Sequence, residues 1–259
     1  MTFIHPLYSL AGVFVGLLVG LTGVGGGSLM TPLLVLAFGF HPATAVGTDL
    51  LYASATKAAG TMVHGHRGTV DWKVVRRLAT GSVPATLVML LALGEAHRRA
   101  ADTGELIATI LGGALIVTAI AVFFRKNIVA RLAPAFSAID DTRIARLTIL
   151  LGAILGVLVS LTSVGAGALG MTALLVLYPR LPVARLVGSD IAHAVPLTLI
   201  AGVGQWWIGS VDVSLLASLL VGSIPGIIVG SLIATRVSER VLVPILAMTL
   251  AIVGTKLLF

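Results

Sequence analysis

The sequence contains no cysteine, and only 10% of its 259 residues are charged. The missing thiols exclude disulfides, thiol catalysis and thiolate metal sites. A soluble domain has about 25% charged residues. The scarcity of charge, together with an apolar content of 58%, therefore indicates a protein that is dissolved in lipid. We expect a multi-pass protein of the plasma (inner) membrane.

The sequence also lacks the features of several other protein classes. It has no G-x-x-x-x-G-K-[ST] motif for a nucleotide. A net charge of +7 could indicate nucleic acid, but the basic residues lie between apolar spans, where the positive-inside bias explains them. No paired catalytic set recurs, and His64 with His66 has no third ligand nearby. We expect no enzyme activity, cofactor, metal site or nucleic-acid partner.

Apolar segments alternate with short polar connections along the whole chain. A helix needs roughly 20 residues to cross the apolar core of a bilayer. The segments 28–39 and 168–178 are too short to do so, and each follows a glycine cluster. The longer predicted segments are 7–24, 42–64, 72–93, 104–124, 144–164, 182–207, 211–234 and 240–258. The sequence predicts an all-α polytopic transmembrane helical bundle with a broken helix pair in each half.

The two halves of the chain repeat each other, and after one inserted residue near Gly170 the offset is 141 residues over a long run. The matching motifs are Gly47-Thr48-Asp49 with Gly188-Ser189-Asp190, Gly68-x-Val70-Asp71 with Gly209-x-Val211-Asp212, and Gly81-Ser82-x-Pro84 with Gly222-Ser223-x-Pro225. Five segments per half is an odd number, so the second copy is predicted to be inverted in the membrane. The predicted units are a first repeat at 1–124, a cytoplasmic linker at 125–143 and a second repeat at 144–259.

These motifs carry a resemblance to a known family. A glycine cluster followed by Pro32, an Ala-x-Gly-Thr run ending at Thr48 and the turn before Asp71 recur as copies in the second half. In these features the sequence resembles the TauE/SafE family of sulfite and sulfonate-linked anion exporters. The resemblance covers nearly the whole chain and implies a membrane permease for small sulfur-containing or organic anions. That family usually has Ser or Asn after Gly-Thr, whereas this chain has Asp49 and Asp190.

The glycine clusters are the predicted anion site. Unwound backbone frees N–H groups, and the helix that follows presents its positive N-terminus. Nearby hydroxyl groups and a lysine could add donors. The predicted substrate-binding residues are Thr22, Gly23, Gly25, Gly26, Gly27, Ser28, Thr162, Ser163, Gly165, Gly167 and Lys57. The alternative for the glycines is tight helix packing through small residues. The alternatives for Lys57 are snorkelling to a headgroup and pairing with an acid from another helix.

Three titratable residues at membrane depth are predicted to couple or gate transport. Asp49 and Asp190 lie about two turns into their helices, where a charge costs about 2.5–3.5 kcal/mol even on the mild insertion scale. Each could carry a proton, or it could cap a neighbouring helix break. His193 follows Asp190 by about one turn and is either a partner in proton relay or a hydrogen-bonded structural histidine.

The sequence therefore predicts a secondary transporter that exports small anions, such as sulfite, sulfonate or other sulfur-containing or organic anions. The expected mechanism is alternating access with the anion held at the two helix breaks, and with protons as the coupling ion. An anion channel of the same fold is the alternative. The expected partners are the anion and the lipid bilayer, and a homo-oligomer is left open.

Overall fold

The computed structural model describes residues 4–22, 27–66, 68–98, 104–165, 167–233 and 239–258. These residues form eleven α-helices and no strand. This result confirms the predicted all-helical class. The helices are α1 (Pro6–Thr22), α2 (Gly27–Leu36), α3 (Pro42–His66), α4 (Trp72–Arg98), α5 (Gly104–Phe123), α6 (Arg125–Phe136), α7 (Asp141–Thr162), α8 (Ala168–Leu177), α9 (Val183–Trp207), α10 (Val213–Ile233) and α11 (Glu239–Leu258).

Five of the described helices, α4, α5, α7, α9 and α10, are long and apolar enough to cross a membrane by length and composition. Shorter apolar stretches lie in α1, α8 and α11. Large apolar side chains such as Leu10, Leu91 and Ile252 are exposed on the outside of the bundle. Exposed apolar surface of this extent is typical of helices that face lipid. The observations confirm the predicted polytopic bundle.

The break in the second half is visible in the backbone. Helix α7 ends at Thr162, and Ser163 follows in the left-handed conformation with φ 57°. Gly165 has φ 119°, a value that residues with a Cβ rarely adopt. Helix α8 then begins at Ala168 and runs for ten residues. The predicted pair of a long helix and a short one is therefore confirmed in this half, and α1 with α2 forms the corresponding pair in the first.

Helix contacts between the halves come in reciprocal pairs. Helix α1 packs on α10, and α4 packs on α7. A Cβ on Gly12 would lie 2.3 Å from the Leu219 carbonyl oxygen, and one on Gly152 would lie 2.2 Å from the Leu78 carbonyl oxygen. In both interfaces the missing side chain lets two helix backbones touch, as small residues do in membrane bundles.

Two hydrogen bonds follow the same correspondence. The Thr48 hydroxyl accepts from the Asp212 backbone N–H at 3.0 Å, and the Ser189 hydroxyl accepts from the Asp71 backbone N–H at 2.8 Å. Thr48 matches Ser189, and Asp71 matches Asp212, through the offset found in the sequence. Reciprocal contacts of this kind are those expected of two repeats related by a pseudo-two-fold axis.

Helices α3 and α9 lie at the centre of the bundle and pack against each other. Val46 and Leu50 of α3 share a buried cluster with Ala194 and Leu197 of α9. Each central helix also contacts one helix of the opposite half, α10 for α3 and α4 for α9. Polar side chains on α3 and α9 are therefore held away from lipid, inside the protein.

Helix α6 was not predicted from the sequence, because its region is the most polar part of the chain. It begins directly after Phe124, where the backbone leaves α5 with φ −92° and ψ 8°. Its apolar residues Ile128, Leu132 and Phe136 recur every four positions and so share one face. Helix α6 packs on α8, so the connection between the halves covers the short helix of the second half.

Candidate functional site

Four of the predicted site residues come together between α3 and α9. Asp49 and Lys57 lie on α3, Asp190 and His193 lie on α9, and all four side chains are buried. The Lys57 ammonium interacts electrostatically with both carboxylates and with His193. We call these four residues the central polar cluster. Two acids therefore share one cation inside the protein.

Asp49 connects the short helix of the first half with the helix break of the second. The Thr31 hydroxyl, on α2, donates a hydrogen bond to Asp49 Oδ2. The Ser163 hydroxyl, at the end of α7, interacts with the same carboxylate without reaching hydrogen-bond geometry. Asp49 is thus placed where the discontinuous helices of both halves approach α3.

Asp190 lies against the other short helix, α8. A Cβ on Gly170 would lie 2.6 Å from Asp190 Oδ1, so only glycine lets α8 approach the carboxylate this closely. Thr172 matches Thr31 in the repeat, yet it donates to the Ala168 carbonyl at 2.8 Å. The two acids therefore occupy corresponding places, but Asp49 accepts from the threonine of its short helix and Asp190 does not accept from Thr172.

Tyr52 and three further hydroxyl residues extend the central polar cluster, and sequence reasoning did not propose them as site residues. His193 Nε2 lies 2.9 Å from Ser82 Oγ on α4. The Tyr52 hydroxyl on α3 faces Ser223 of α10 and Thr56 without reaching hydrogen-bond geometry, and the hydroxyl oxygens of Ser223 and Thr56 are 3.0 Å apart. The offset that matches Ser82 to Ser223 also matches Tyr52 to His193. That signal could have identified Tyr52.

Several buried polar atoms in this region have no hydrogen-bond partner among the described residues. They are Asp49 Oδ1, Tyr52 Oη, Ser163 Oγ, Asp190 Oδ1 and His193 Nδ1. Buried polar atoms in native proteins are nearly always paired. Elsewhere in the helices, the hydroxyls of Thr118, Thr148 and Thr198 donate to the carbonyl one turn earlier. The central region therefore offers donors and acceptors suited to a small polar solute.

Most of the predicted residues of the second break make hydrogen bonds within the break itself. The Thr162 hydroxyl donates to the carbonyl four residues earlier at 2.7 Å and accepts from the Val164 N–H at 3.1 Å. The Gly165 carbonyl accepts from the Gly167 N–H at 2.8 Å. Gly167 is the residue directly before α8. Of these residues, Ser163 has the hydroxyl that interacts with Asp49.

The first break is described only at its edges. Thr22 is the last residue of α1, and Gly27 and Ser28 are the first residues of α2. Gly23, Gly25 and Gly26 lie outside the described residues. Their predicted role in anion binding stays a prediction.

Metal-ligating side chains do not gather in the described part of the chain. No group of three or more His, Cys, Asp or Glu side chains there could hold a metal ion. The central polar cluster itself contains two acids, one histidine and one lysine, and the lysine interacts with the other three.

Comparison with known proteins identifies the family. A family model described as "Sulfite exporter TauE/SafE" matches residues 8–257. The chain belongs to the TauE/SafE family. It is 42% identical over 215 residues to the "Probable membrane transporter protein YjnA" of Bacillus subtilis (strain 168), which covers 81% of this chain and 82% of that protein. It is 40% identical to the "Probable membrane transporter protein YunE" of the same organism over 68 residues, 26% of this chain and 25% of that protein. No solved structure matches the chain.

Membership of the TauE/SafE family confirms the resemblance inferred from the glycine clusters and the Gly-Thr runs. The family and the relatives are membrane transporters rather than enzymes. Together with the apolar helices, this confirms the prediction of a multi-pass transporter of the plasma membrane. The chemistry of the central polar cluster bears on the substrate and the mechanism.

Proposed function

We propose that this TauE/SafE protein exports small anions, namely sulfite, sulfonates or other sulfur-containing or organic anions. The family description, which names sulfite export, supports the substrate class. The central region adds chemical support, because Lys57 is buried and interacts electrostatically with Asp49 and Asp190, and the buried hydroxyls of Tyr52 and Ser163 have no hydrogen-bond partner among the described residues. Ammonium and hydroxyl groups are donors, and an oxyanion needs donors.

The observation that carries the proposal is that Lys57 is buried between α3 and α9 and interacts electrostatically with both Asp49 and Asp190. When both carboxyl groups are ionised, an anion that binds Lys57 is repelled by the two negative charges that already interact with that side chain. Inside a protein this repulsion is large, since the effective dielectric constant is far below that of water. Anion binding therefore favours a proton on one of the carboxyl groups or on His193. By linkage, a proton in turn favours anion binding.

Co-binding of a proton and an anion sets the expected coupling. A proton and an anion that bind together cross the membrane together. The direction of net flux then follows the sum of their gradients. Export of an anion is fastest when the compartment that holds it is acidic.

We further propose that alternating access exchanges the environments of the two halves, as in transporters built from inverted repeats. In the present structure Thr31 is bonded to Asp49, while Thr172 is bonded to its own helix. In the opposite-facing state Thr172 would bond Asp190, and Thr31 would release Asp49. The reciprocal packing of α1 on α10 and of α4 on α7 supports such an exchange, because equivalent interfaces can rearrange in equivalent ways.

The helix breaks supply the second element of the proposed site. Helices α2 and α8 both approach the central polar cluster near their N-terminal ends, through Thr31, the fifth residue of α2, and Gly170, the third residue of α8. The N-terminal end of a helix carries partial positive charge and free N–H groups. We assign to these two ends the recognition of the anion, with Lys57 as the charged partner.

Flux measurements with purified protein in liposomes test the proposal. Sulfite, methanesulfonate and acetate are loaded inside, and their efflux is followed with the interior at about pH 6 or about pH 8, on either side of neutrality. We expect saturable efflux that is faster from the acidic interior and is lost in D49N/D190N. The exposed-acid variant E105Q is the control and should match the wild type.

Two results would contradict the proposal. The transport function would be wrong if, under every pH gradient, all three anions left the vesicles no faster than they leave vesicles without protein. Single-channel currents in a planar bilayer would instead show a channel, and alternating access would be wrong.

A further inference from the structure

An apolar groove of about 440 Å³ lies between α6, α7 and α8. Helix α6 contributes Ile128 and Phe136, α7 contributes the row from Leu147 to Leu158, and α8 contributes Leu169 and Ala173. Leu147, Leu150 and Ile154 on this row are exposed, so the groove opens toward the lipid side of the bundle.

The length of the groove along α7 matches the apolar thickness of one leaflet of a bilayer. Leu147 and Leu158 are eleven positions apart on α7, which at 1.5 Å per residue is about 16 Å. The apolar core of a bilayer is about 30 Å thick, so half of it is about 15 Å. The groove therefore follows α7 from Leu147 to Leu158, one turn before the helix break, and its length matches that of one acyl chain.

Basic side chains lie at the end of the groove that is nearest the N-terminus of α7. Arg143 and Arg146 are exposed and lie one turn before Leu147 and Leu150, on the same face of α7. The neighbouring carboxylate of Asp141 is 2.6 Å from Arg77 and 3.1 Å from Lys73, and those two cations offset its charge. Asp140, the N-cap of α7, accepts from the Thr142 N–H and is the second acid at this end. Two arginines against this one remaining carboxylate leave the mouth of the groove with a net positive charge, which complements a phosphate headgroup.

We propose that this groove binds one acyl chain of an anionic phospholipid, with the phosphate of the headgroup at Arg143 and Arg146. The acyl chain packs against the apolar walls of the groove, and the two guanidinium groups attract the negative charge of the phosphate. Each basic residue near a membrane surface contributes about 1 kcal/mol toward anionic lipid, so the pair contributes about 30-fold in affinity.

The position of α8 gives this lipid a structural role. Leu169 and Ala173 of α8 line the groove, while Gly170 of the same helix lies against Asp190 on the other side. Helix α8 has ten residues and is too short to cross the bilayer. A chain in the groove packs against one face of α8 and holds its other face against Asp190. The inference does not depend on which solute is transported.

A lipid titration of the full-length protein tests the inference. Protein that has been stripped of lipid in detergent is mixed with phosphatidylglycerol or with phosphatidylcholine. Retained lipid is counted by native mass spectrometry, and the midpoint of thermal unfolding is recorded. We expect phosphatidylglycerol to bind about 30-fold more tightly than phosphatidylcholine and to raise the midpoint more. The variant R143Q/R146Q should lose this preference, whereas R76Q, which removes an exposed arginine from α4, should keep it.

A groove-filling variant separates the chain from the headgroup. In A173F the added ring occupies the groove, so both lipids should lose their effect on the unfolding midpoint. Equal binding of the two lipids by the wild type, or an unchanged preference in R143Q/R146Q, would overturn the proposal. So would a stable dimer in solution whose formation protects a cysteine placed at Leu150 from labelling, because a second copy of the chain would then cover the groove.

Discussion

Tyr52 and His193 occupy corresponding positions in the two repeats, and each lies beside a serine of the opposite half. His193 Nε2 is 2.9 Å from Ser82 Oγ, and Tyr52 interacts with Ser223. The serines themselves correspond to each other. Corresponding side chains thus face each other between α9 and α4 and between α3 and α10. His193 is at hydrogen-bond distance from its serine, whereas Tyr52 Oη is not, so the two halves meet the central polar cluster with different chemistry.

The variant Y52F should weaken transport without weakening the fold. The Tyr52 hydroxyl is buried and has no hydrogen-bond partner in the described structure, so its removal should change the free energy of unfolding by less than about 0.5 kcal/mol. Loss of a donor to the anion should raise KM for efflux several-fold with little change in the maximal rate. The measurement is concentration-dependent flux together with thermal unfolding.

Tyr8 provides a matched control for this prediction. Its ring packs edge-on against Phe38 at 5.1 Å, away from the central polar cluster. Y8F should leave both KM and stability unchanged. A KM for Y52F equal to that of the wild type would show that the Tyr52 hydroxyl does not contact the anion.

The variant K57M should abolish transport and destabilise the protein. It removes the cation that faces Asp49 and Asp190 and leaves two buried acids without it. Breaking a buried ion pair by removing one partner costs about 3–5 kcal/mol. The double variant K57M/D190N should recover a large part of this loss but no transport. Unfolding in denaturant measures the coupling, and K256M, which changes an exposed lysine, is the control. Additive costs of the two changes would contradict the shared-charge arrangement.

The variants G152A and G12A should destabilise the protein to a similar extent. The added Cβ would lie 2.2 Å from the Leu78 carbonyl oxygen in the first case and 2.3 Å from the Leu219 carbonyl oxygen in the second. Separating the two backbones should cost about 1–3 kcal/mol. G113A is the matched control, since a Cβ there meets no atom within 4 Å. Thermal unfolding in one detergent compares the three. Costs that differ widely between G12A and G152A would argue against equivalent interfaces.

The variant T172V should slow transport although Thr172 does not bond either acid in this structure. Its hydroxyl donates to the Ala168 carbonyl, and valine keeps nearly the same shape. If the opposite-facing state moves this hydroxyl to Asp190, the slowing in T172V should resemble that in T31V. T118V removes an equivalent buried hydroxyl that donates to Ala114 and should not slow transport. Initial rates of efflux from liposomes measure all three, and wild-type rates in T172V would contradict the exchange.

Much of the fold follows from the sequence, because membranes constrain it strongly. The apolar segments, the short helices α2 and α8, and the matched motifs around Asp49 and Asp190 were all readable from residue patterns. In lipid, backbone groups must be satisfied within helices, so long apolar segments leave few alternatives. Helix α6 was missed because half of its neighbouring sequence is polar and its apolar face repeats only three times, at Ile128, Leu132 and Phe136.

The helices that carry the site could be predicted from the sequence, but the contacts between its residues could not. The sequence placed Lys57 and Asp49 in one predicted segment, 42–64, but only the packing of α3 on α9 brings Asp190 into electrostatic interaction with the same lysine. The contact of Thr31 with Asp49 joins two helices and has no local pattern. Tyr52 was overlooked because a single tyrosine in an apolar helix is typical of a packed core. Pairs of this kind depend on tertiary geometry, which propensity and periodicity do not encode.

Proton uptake on anion binding tests the central claim most directly. Purified protein in weakly buffered detergent solution is mixed with methanesulfonate, an anion that does not itself take up protons near neutral pH. The pH of the solution is then recorded. We predict that binding to the wild type removes protons from solution, that D49N/D190N removes none, and that E105Q behaves like the wild type. Saturable binding of methanesulfonate to the wild type with no uptake of protons would contradict the account.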